Sequence, residues 1–342
     1  MANSASLPGR GDLTIAEEFA QKIADERRHN QLMQMVPGII LASFAVLASL
    51  FVGGFFTVTN AINILNQISI PLILATGITN VIIIGGIDLS IEGVMGFCAS
   101  IVTLLVLNKK NSMDLGVLGM ALTVAAGTFI GFVTGVLHVK MRIPSFMVSF
   151  GMGSVITGFG IMSYGGKPAT VEYALFPAIS QGSILGIPYL SFMALGIFLV
   201  GCFIQKYTAF ARAIYAIGDN EGVLRSTGVN VDWVKIKAFA WCACCASLAG
   251  LFGAIRLNRG EVIIGQGNLF TTITALVVGG ASLAGGKGGM LESLVGVVIV
   301  VIIQNCMILL GINPYIQEAV KGVIIILAVA LSVTRGKKDF VK

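Results

Sequence analysis

Two carboxylates stand where carboxylates are costly. Asp88 and Glu92 lie within Gly85-Gly86-Ile87-Asp88-Leu89-Ser90-Ile91-Glu92-Gly93, in an otherwise apolar part of the chain. Four residues apart, they are expected on one helix face. An ionisable group at hydrocarbon depth is a functional candidate, as a proton or cation carrier or as part of a solute path. Asp88 reads equally well as the cap of a helix start, its oxygen accepting orphan amide protons. Further polar residues fall at similar depth: Asn66, Gln67, Asn80, Thr271, Thr272, Thr274, Gln304 and Asn305. Such side chains bond between helices or wet a cavity. Their number suits a path for a neutral solute better than an ion path. Asn80, Asp88, Ser90, Glu92, Thr271 and Asn305 are the candidates for a pathway or its gate.

Other chemistries lack their residues. Gly285-Gly286-Lys287-Gly288-Gly289 resembles a phosphate loop only superficially. That loop needs Gly five residues before the Gly-Lys pair and Ser or Thr after the Lys, and Ala281 and Gly288 stand there. A tight turn between helices is the expectation, and any ATP must be bound by another polypeptide. His29 and His138 are the only histidines, which gives no basis for a catalytic dyad, a metal cluster or an intramembrane hydrolase. The six cysteines all sit in apolar runs, and Cys242-Ala-Cys244-Cys245 lacks metal-site spacing. They read as small packing residues.

The elements that must position these groups are membrane helices. Of 342 residues, 56% are hydrophobic and 11% charged, too few polar groups to cover a soluble core of this size. Apolar runs occur at about 35–57, 60–84, 88–107, 115–138, 144–164, 189–205, 236–255, 266–284, 291–311 and 315–334. Each is near the ~20 residues that cross ~30 Å of hydrocarbon, and in lipid such runs must be helical. The stretches 85–95 and 260–275 are the places where a span can be broken or re-entrant. An all-α membrane protein of about ten spans, with both termini cytoplasmic, puts 16 of the 22 Lys and Arg residues inside and 6 outside, as the positive-inside rule asks. The net charge of +6 therefore reports orientation in lipid, not nucleic-acid binding. No signal-peptide pattern precedes the first run, so it is expected to stay as an anchor.

The organisation expected is a cytoplasmic segment 1–34, a transmembrane domain 35–335 and a cytoplasmic tail 336–342. Thr14 and Glu17 have capping-box spacing, which leaves 1–34 as either a short amphipathic helix or a solvated tail. Residues 165–188 form the longest external loop, and 206–235 the longest cytosolic one. Within the latter, Asp219 to Thr227 can form a short helix with Asp219 or Asn220 as its N-cap and Gly228 just past its end. Such a projecting helix suits docking to a soluble motor, or is an ordinary surface loop.

At these residues the chain resembles the integral membrane subunit of bacterial ABC importers of the ribose/galactose type. Gly86-Ile87-Asp88-Leu89-Ser90 is similar to the family's signature. So are Tyr215-Ala216 followed by Gly218, Asn220 and Glu221, then Ser226 and Gly228-Val229-Asn230-Val231. Ser282-Leu283-Ala284-Gly285-Gly286-Lys287-Gly288 and Gly311-Ile312-Asn313-Pro314-Tyr315 are similar as well. The resemblance implies the ABC importer permease fold in a bacterial inner membrane and a second permease copy or paralogue. It also implies an extracytoplasmic solute-binding protein, and a cytosolic ATPase docking around Asn220, Glu221, Arg225 and Gly228. ATP and Mg belong to that ATPase, and no cofactor to this chain. Pentoses, hexoses, nucleosides and polyols all remain open as solutes. Two departures stand out. Ile91-Glu92-Gly93 replaces the usual Val-Gly-Ser, and Phe270-Thr271-Thr272-Ile273 stands where the family often carries Glu and Asp. The competing expectation is an ion-coupled secondary transporter using Asp88 and Glu92.

Overall fold

The computed structural model describes residues 38, 39 and 41–335. The expectations for 1–34 and 336–342 lie outside them. The helices are α1 (Leu41–Phe51), α2 (Val58–Ile83), α3 (Ile91–Leu105), α4 (Gly116–Lys140), α5 (Ser145–Tyr164), α6 (Leu175–Gln181), α7 (Tyr189–Tyr207), α8 (Ala209–Ser226), α9 (Val231–Leu257), α10 (Asn268–Gly279), α11 (Met290–Leu309) and α12 (Pro314–Arg335). Each of the ten apolar runs holds a helix. Among the described residues seven helical runs are long and apolar enough to cross a membrane, α10 counted together with the 3-10 turn Val262–Gly265 before it. Helices α1 and α3 are apolar but shorter.

Helix α9 is the axis, with α2, α3 and α4 packed around it. Its middle is made of small residues, Cys242, Ala243, Cys245, Ala246, Ser247, Ala249 and Gly250, all buried. Where lipid is as apolar as the side chains, helices associate through close backbone approach and the contacts it allows. Helix α4 meets α9 along Gly127, Gly131 and Gly135, one stripe four residues apart. A Cβ on Gly131 would stand 2.6 Å from the Phe239 carbonyl oxygen, and one on Gly77 of α2 would stand 2.7 Å from Cys245 Cβ. The cysteines do pack as small apolar residues.

The loop at 165–188 is an ordered cap. β1 (Ala169–Thr170) pairs antiparallel with β4 (Arg259–Gly260), and β2 (Ser183–Ile184) with β3 (Ile187–Pro188). Phe176 of α6 is wholly buried in the main apolar cluster.

Two helices start part-way along their neighbours. Residues 84–90 are not helical. They climb beside α5, where the Ser145 hydroxyl accepts from Ile87 N–H at 3.1 Å and the Ser149 hydroxyl from Leu89 N–H at 2.9 Å. Gly93 then faces Gly153. Ser145 to Gly153 is about 12 Å of helix rise, so α3 begins nearly half-way along α5. On its other side the chain after α9 descends along α3, with Gly260 against Ala99, Val262 against Gly96 and Gly265 against Glu92. Helix α10 therefore starts at the level of Glu92. It runs back about 18 Å to Gly279, which abuts Glu292 at the start of α11.

Candidate functional site

Two glycine turns meet at one end of the helix bundle. Gly85 and Gly86 follow α2, and Gly285 to Gly289 precede α11. Gly85, Gly285, Gly286 and Gly288 have φ of 74°, 89°, 73° and 125°, backbone that a side chain resists. The turns interlock through Gly286 N–H donating to Ile83 O at 2.9 Å. A Cβ on Gly285 would come within 2.9 Å of Gly85 N. Gly218 of α8 sits on both turns: its Cβ would overlap the Ile83 carbonyl oxygen and lie 2.5 Å from Gly286 N. Tyr215 OH donates to Gly288 O at 2.7 Å, and burial, with the nearby Glu292 charge, pushes this phenol up to about 12. Gln205 of α7 accepts from Met290 N–H at 2.8 Å, fastening the start of α11.

Helix α8 breaks at Asn220, with φ −157° and ψ 99°. The Asn220 side chain accepts from Val223 N–H at 3.2 Å, and Gly228 follows the second segment at φ 82°. The short capped helix is thus present, as the second half of a longer one. Glu221 uses one oxygen on Arg225 at 3.0 Å and the other on Lys235 at 2.7 Å, while Arg225 reaches Asp232 at 2.8 Å. These pairs tie the short segment to the first turn of α9. Partial burial pulls the Glu221 carboxyl upward, but the hydrogen bonds and charges of Lys235 and Arg225 outweigh it and hold it below the usual carboxylate range. Val223 and Trp233 are exposed beside this network.

The intramembrane candidates separate into two groups. Asp88 and Glu92 do not share a helix face, because α3 begins only at Ile91 and the serine hydroxyls of α5 hold the amides of Ile87 and Leu89 in the non-helical segment before it. Asp88 is fully buried. One of its oxygens accepts from Ser90 N–H at 2.9 Å and from the Ser90 hydroxyl at 2.6 Å. Its local contacts are those of an Asx turn leading into α3. Ser90 and Asn80 are equally enclosed. Asn305 and Asn60 exchange two amide hydrogen bonds, at 2.9 and 3.0 Å, between α11 and α2.

Glu92 and Thr271 lie elsewhere. Glu92 is partly exposed, and its Oε1 accepts from Leu269 N–H at 2.9 Å in the first turn of α10, where the helix dipole favours an anion. Exposed Gln266 and Gly267 adjoin it in sequence to Leu269. Thr271 donates to Gly267 O at 2.9 Å and lines a narrow cavity with Thr274, Gln304 and Lys321. The two departures noted in the sequence therefore pack against each other: α10 lacks acidic residues, and Glu92 brings a carboxylate to it from α3.

The family described as branched-chain amino acid transport system / permease component matches residues 60–329. The chain belongs to this permease family. The permease is 34% identical over 302 residues to the ribose import permease protein RbsC of Escherichia coli strain K12, covering 87% of this chain and 93% of that one. It is 30% identical over 311 residues to the L-arabinose ABC transporter permease protein AraH of Azospirillum brasilense, covering 90% and 91%. To the galactose/methyl galactoside import permease protein MglC of Escherichia coli strain K12 it is 29% identical over 292 residues, covering 81% and 87%. No solved structure matches.

Several contacts of the permease were missed in the sequence. Ser145 and Ser149 carry a four-residue spacing that marks one helix face, but nothing local says what they bind. Gln205, Tyr215 and Lys235 have partners 85, 73 and 14 residues away, visible only after folding.

Proposed function

We propose that this permease is the transmembrane subunit of an ATP-driven sugar importer of a bacterial inner membrane. The observation that carries the reading is the seat of α8: one cytosolic helix rests, through Gly218, on the two turns that lead into both broken spans. A push on α8 reaches the α2–α3 and the α10–α11 connections together. The kinship with ribose, arabinose and galactose permeases supplies the solute class.

In this reading the chain crosses the membrane ten times with both termini inside. A cytosolic ATPase, holding ATP and Mg, docks at Asn220 to Gly228 with Val223 exposed to it, and a solute-binding protein docks on the external cap. A second copy or a paralogue completes the pathway. Non-helical backbone with exposed Gln266 and Gly267 at mid-depth must face protein or water, not lipid. The pathway runs past Glu92 and Thr271, whereas Asn80, Asp88, Ser90 and Asn305 serve as scaffold. Ion coupling through Asp88 and Glu92 is not favoured, since the two point into different environments and Asp88 is sealed by its turn.

The test is uptake of labelled D-ribose, L-arabinose and D-galactose by cells carrying the permease with its ATPase and binding protein. At least one sugar is expected to enter, and uptake should vanish when the ATPase's phosphate-loop lysine is replaced. Uptake that survives that replacement and follows the ion gradient would sink the reading.

A further inference from the structure

We propose that Thr59, Asn63, Asn66 and Gln67 of α2 form a strip of sugar-contacting side chains on the wall of the translocation pathway. The proposal rests on the sugar-import reading and names the groups that exchange hydrogen bonds with the solute.

At about 100° per residue, these four residues fall in one sector of α2 about 100° wide. Thr59 and Asn63 are exposed, and Asn66 and Gln67 half-buried. Asn66 Oδ1 and Gln67 Oε1 are shut off from solvent and meet no donor among the described residues. The sectors on either side are taken. Asn60 bonds Asn305 of α11, Ile64 packs on the cluster of Ala48, Ile302 and Cys306, and Ser69 reaches Ser191 of α7 at 3.2 Å. On the opposite side of the helix Ala61 and Leu65 are exposed and Ile68 half-buried, all three apolar. This part of α2 therefore shows two open strips, one of hydrocarbon and one of carboxamides and a hydroxyl. The first suits lipid. The second does not, because an amide without a partner is costly away from water, and polar side chains in a span turn to a bundle interior or a wet cavity.

The strip lies abreast of the start of α10. Gly296 of α11 meets Ala275, and Gly279 meets Glu292, so α10 and α11 run antiparallel and Asn268 stands level with Ile303. That is about 3 Å of helix rise from Asn305, the partner of Asn60. Helix α10, which also packs against α2, thus begins within about one turn of the Asn60 level. Exposed Gln266 and Gly267 precede it, so uncharged polar side chains and bare backbone meet at one level of the bundle. Each carboxamide offers donors and an acceptor without a charge. That matches the hydroxyl groups of a neutral sugar, which both give and accept. A seam with a second copy would instead bury Asn63 and answer the free carbonyls with that copy's donors.

The experiment uses the whole transporter in cells, with D-ribose, L-arabinose and D-galactose as probes and the Val58 end of α2 outward, as ten spans require. Asn63→Leu and Gln67→Leu are each expected to lower the maximal uptake rate at least tenfold at equal membrane abundance, and Asn63→Gln and Gln67→Asn to recover part of the loss. Leu65→Ala, on the apolar strip, should stay within twofold of the unmodified chain. An Asn63→Cys chain should react with a membrane-impermeant cationic methanethiosulfonate above the level of the unmodified chain. The transported sugar with its binding protein should slow that reaction at least threefold, and the binding protein alone should not. If a leucine variant does not reach the membrane, the labelling of Asn63→Cys carries the decision. Unchanged uptake in the leucine variants, or labelling that is absent or indifferent to sugar, overturns the strip alone. Disulfide formation between two Asn63→Cys copies in place of labelling makes the face a seam between copies and overturns it too. Failure of the unmodified transporter to import any of the three sugars overturns the sugar reading, and the strip with it.

Discussion

Adding one methyl group at Gly218 is expected to remove most of the transport activity. The Cβ of Gly218→Ala would overlap the Ile83 carbonyl oxygen and press on Gly286 N at 2.5 Å. Both are backbone atoms of interlocked turns, so no rotamer change relieves the contact. Overpacking of this kind costs about 1–3 kcal/mol. Here the cost is met by lifting α8 off the turns or by spreading the turns apart, and either breaks the link between the cytosolic helix and the broken spans. Uptake should fall at least tenfold, and the melting temperature in detergent should drop. Gly222→Ala is the control on the same helix, because its Cβ meets nothing nearer than Asn220 Oδ1 at 3.4 Å. Equal uptake by Gly218→Ala and Gly222→Ala would show that the seat of α8 does not transmit motion.

Reversing one charge on the short helix is expected to do comparable harm, and a second reversal to undo it. Glu221→Lys would place an ammonium against Lys235, now 2.7 Å from a Glu221 oxygen, and against Arg225. The exposed Arg225 pairs are each worth less than about 1 kcal/mol, and only the Lys235 end of the network is largely buried, so the chain should still fold and insert. The register of the segment on α9 depends on them together. Uptake should drop at least tenfold, with ATP hydrolysis no longer answering to sugar. Because both Glu221 oxygens are engaged within the chain, adding Lys235→Glu should restore most of the uptake. Swapping Glu221 and Arg225 should not, since it sets Arg against Lys235 and Glu against Asp232. If Lys235→Glu gives no recovery, Glu221 acts by touching the ATPase directly.

Helix content was legible because lipid leaves backbone amides no other partner. The capped segment at Asn220 and Gly228 was legible because capping is local. The suspicion of breaks at 85–95 and 260–275 was sound: glycines interrupt the apolar pattern there, and α3 and α10 start only at Ile91 and Asn268. What failed was the use of helical spacing across such a break: Asp88 and Glu92 are four residues apart, yet only Glu92 belongs to α3. The stretches 165–188 and 206–235 were read as loops, the second with one short helix, and the structure gives them a strand-paired cap and the longer helix α8. Their order comes from partners such as Arg259, Gly260 and Gly286, far along the chain. The role of each polar residue was hidden for the same reason. Asn305 finds Asn60 at a separation of 245 residues, and Glu92 finds Leu269 at 177.

The most direct test of ATP-driven transport is sugar accumulation in vesicles holding the purified permease, with and without its ATPase, under an imposed ion gradient. Concentration of sugar against its gradient is expected only when the ATPase is attached, binding protein and sugar are outside, and ATP with Mg is inside. Accumulation by the permease alone, driven by protons or sodium, would contradict it.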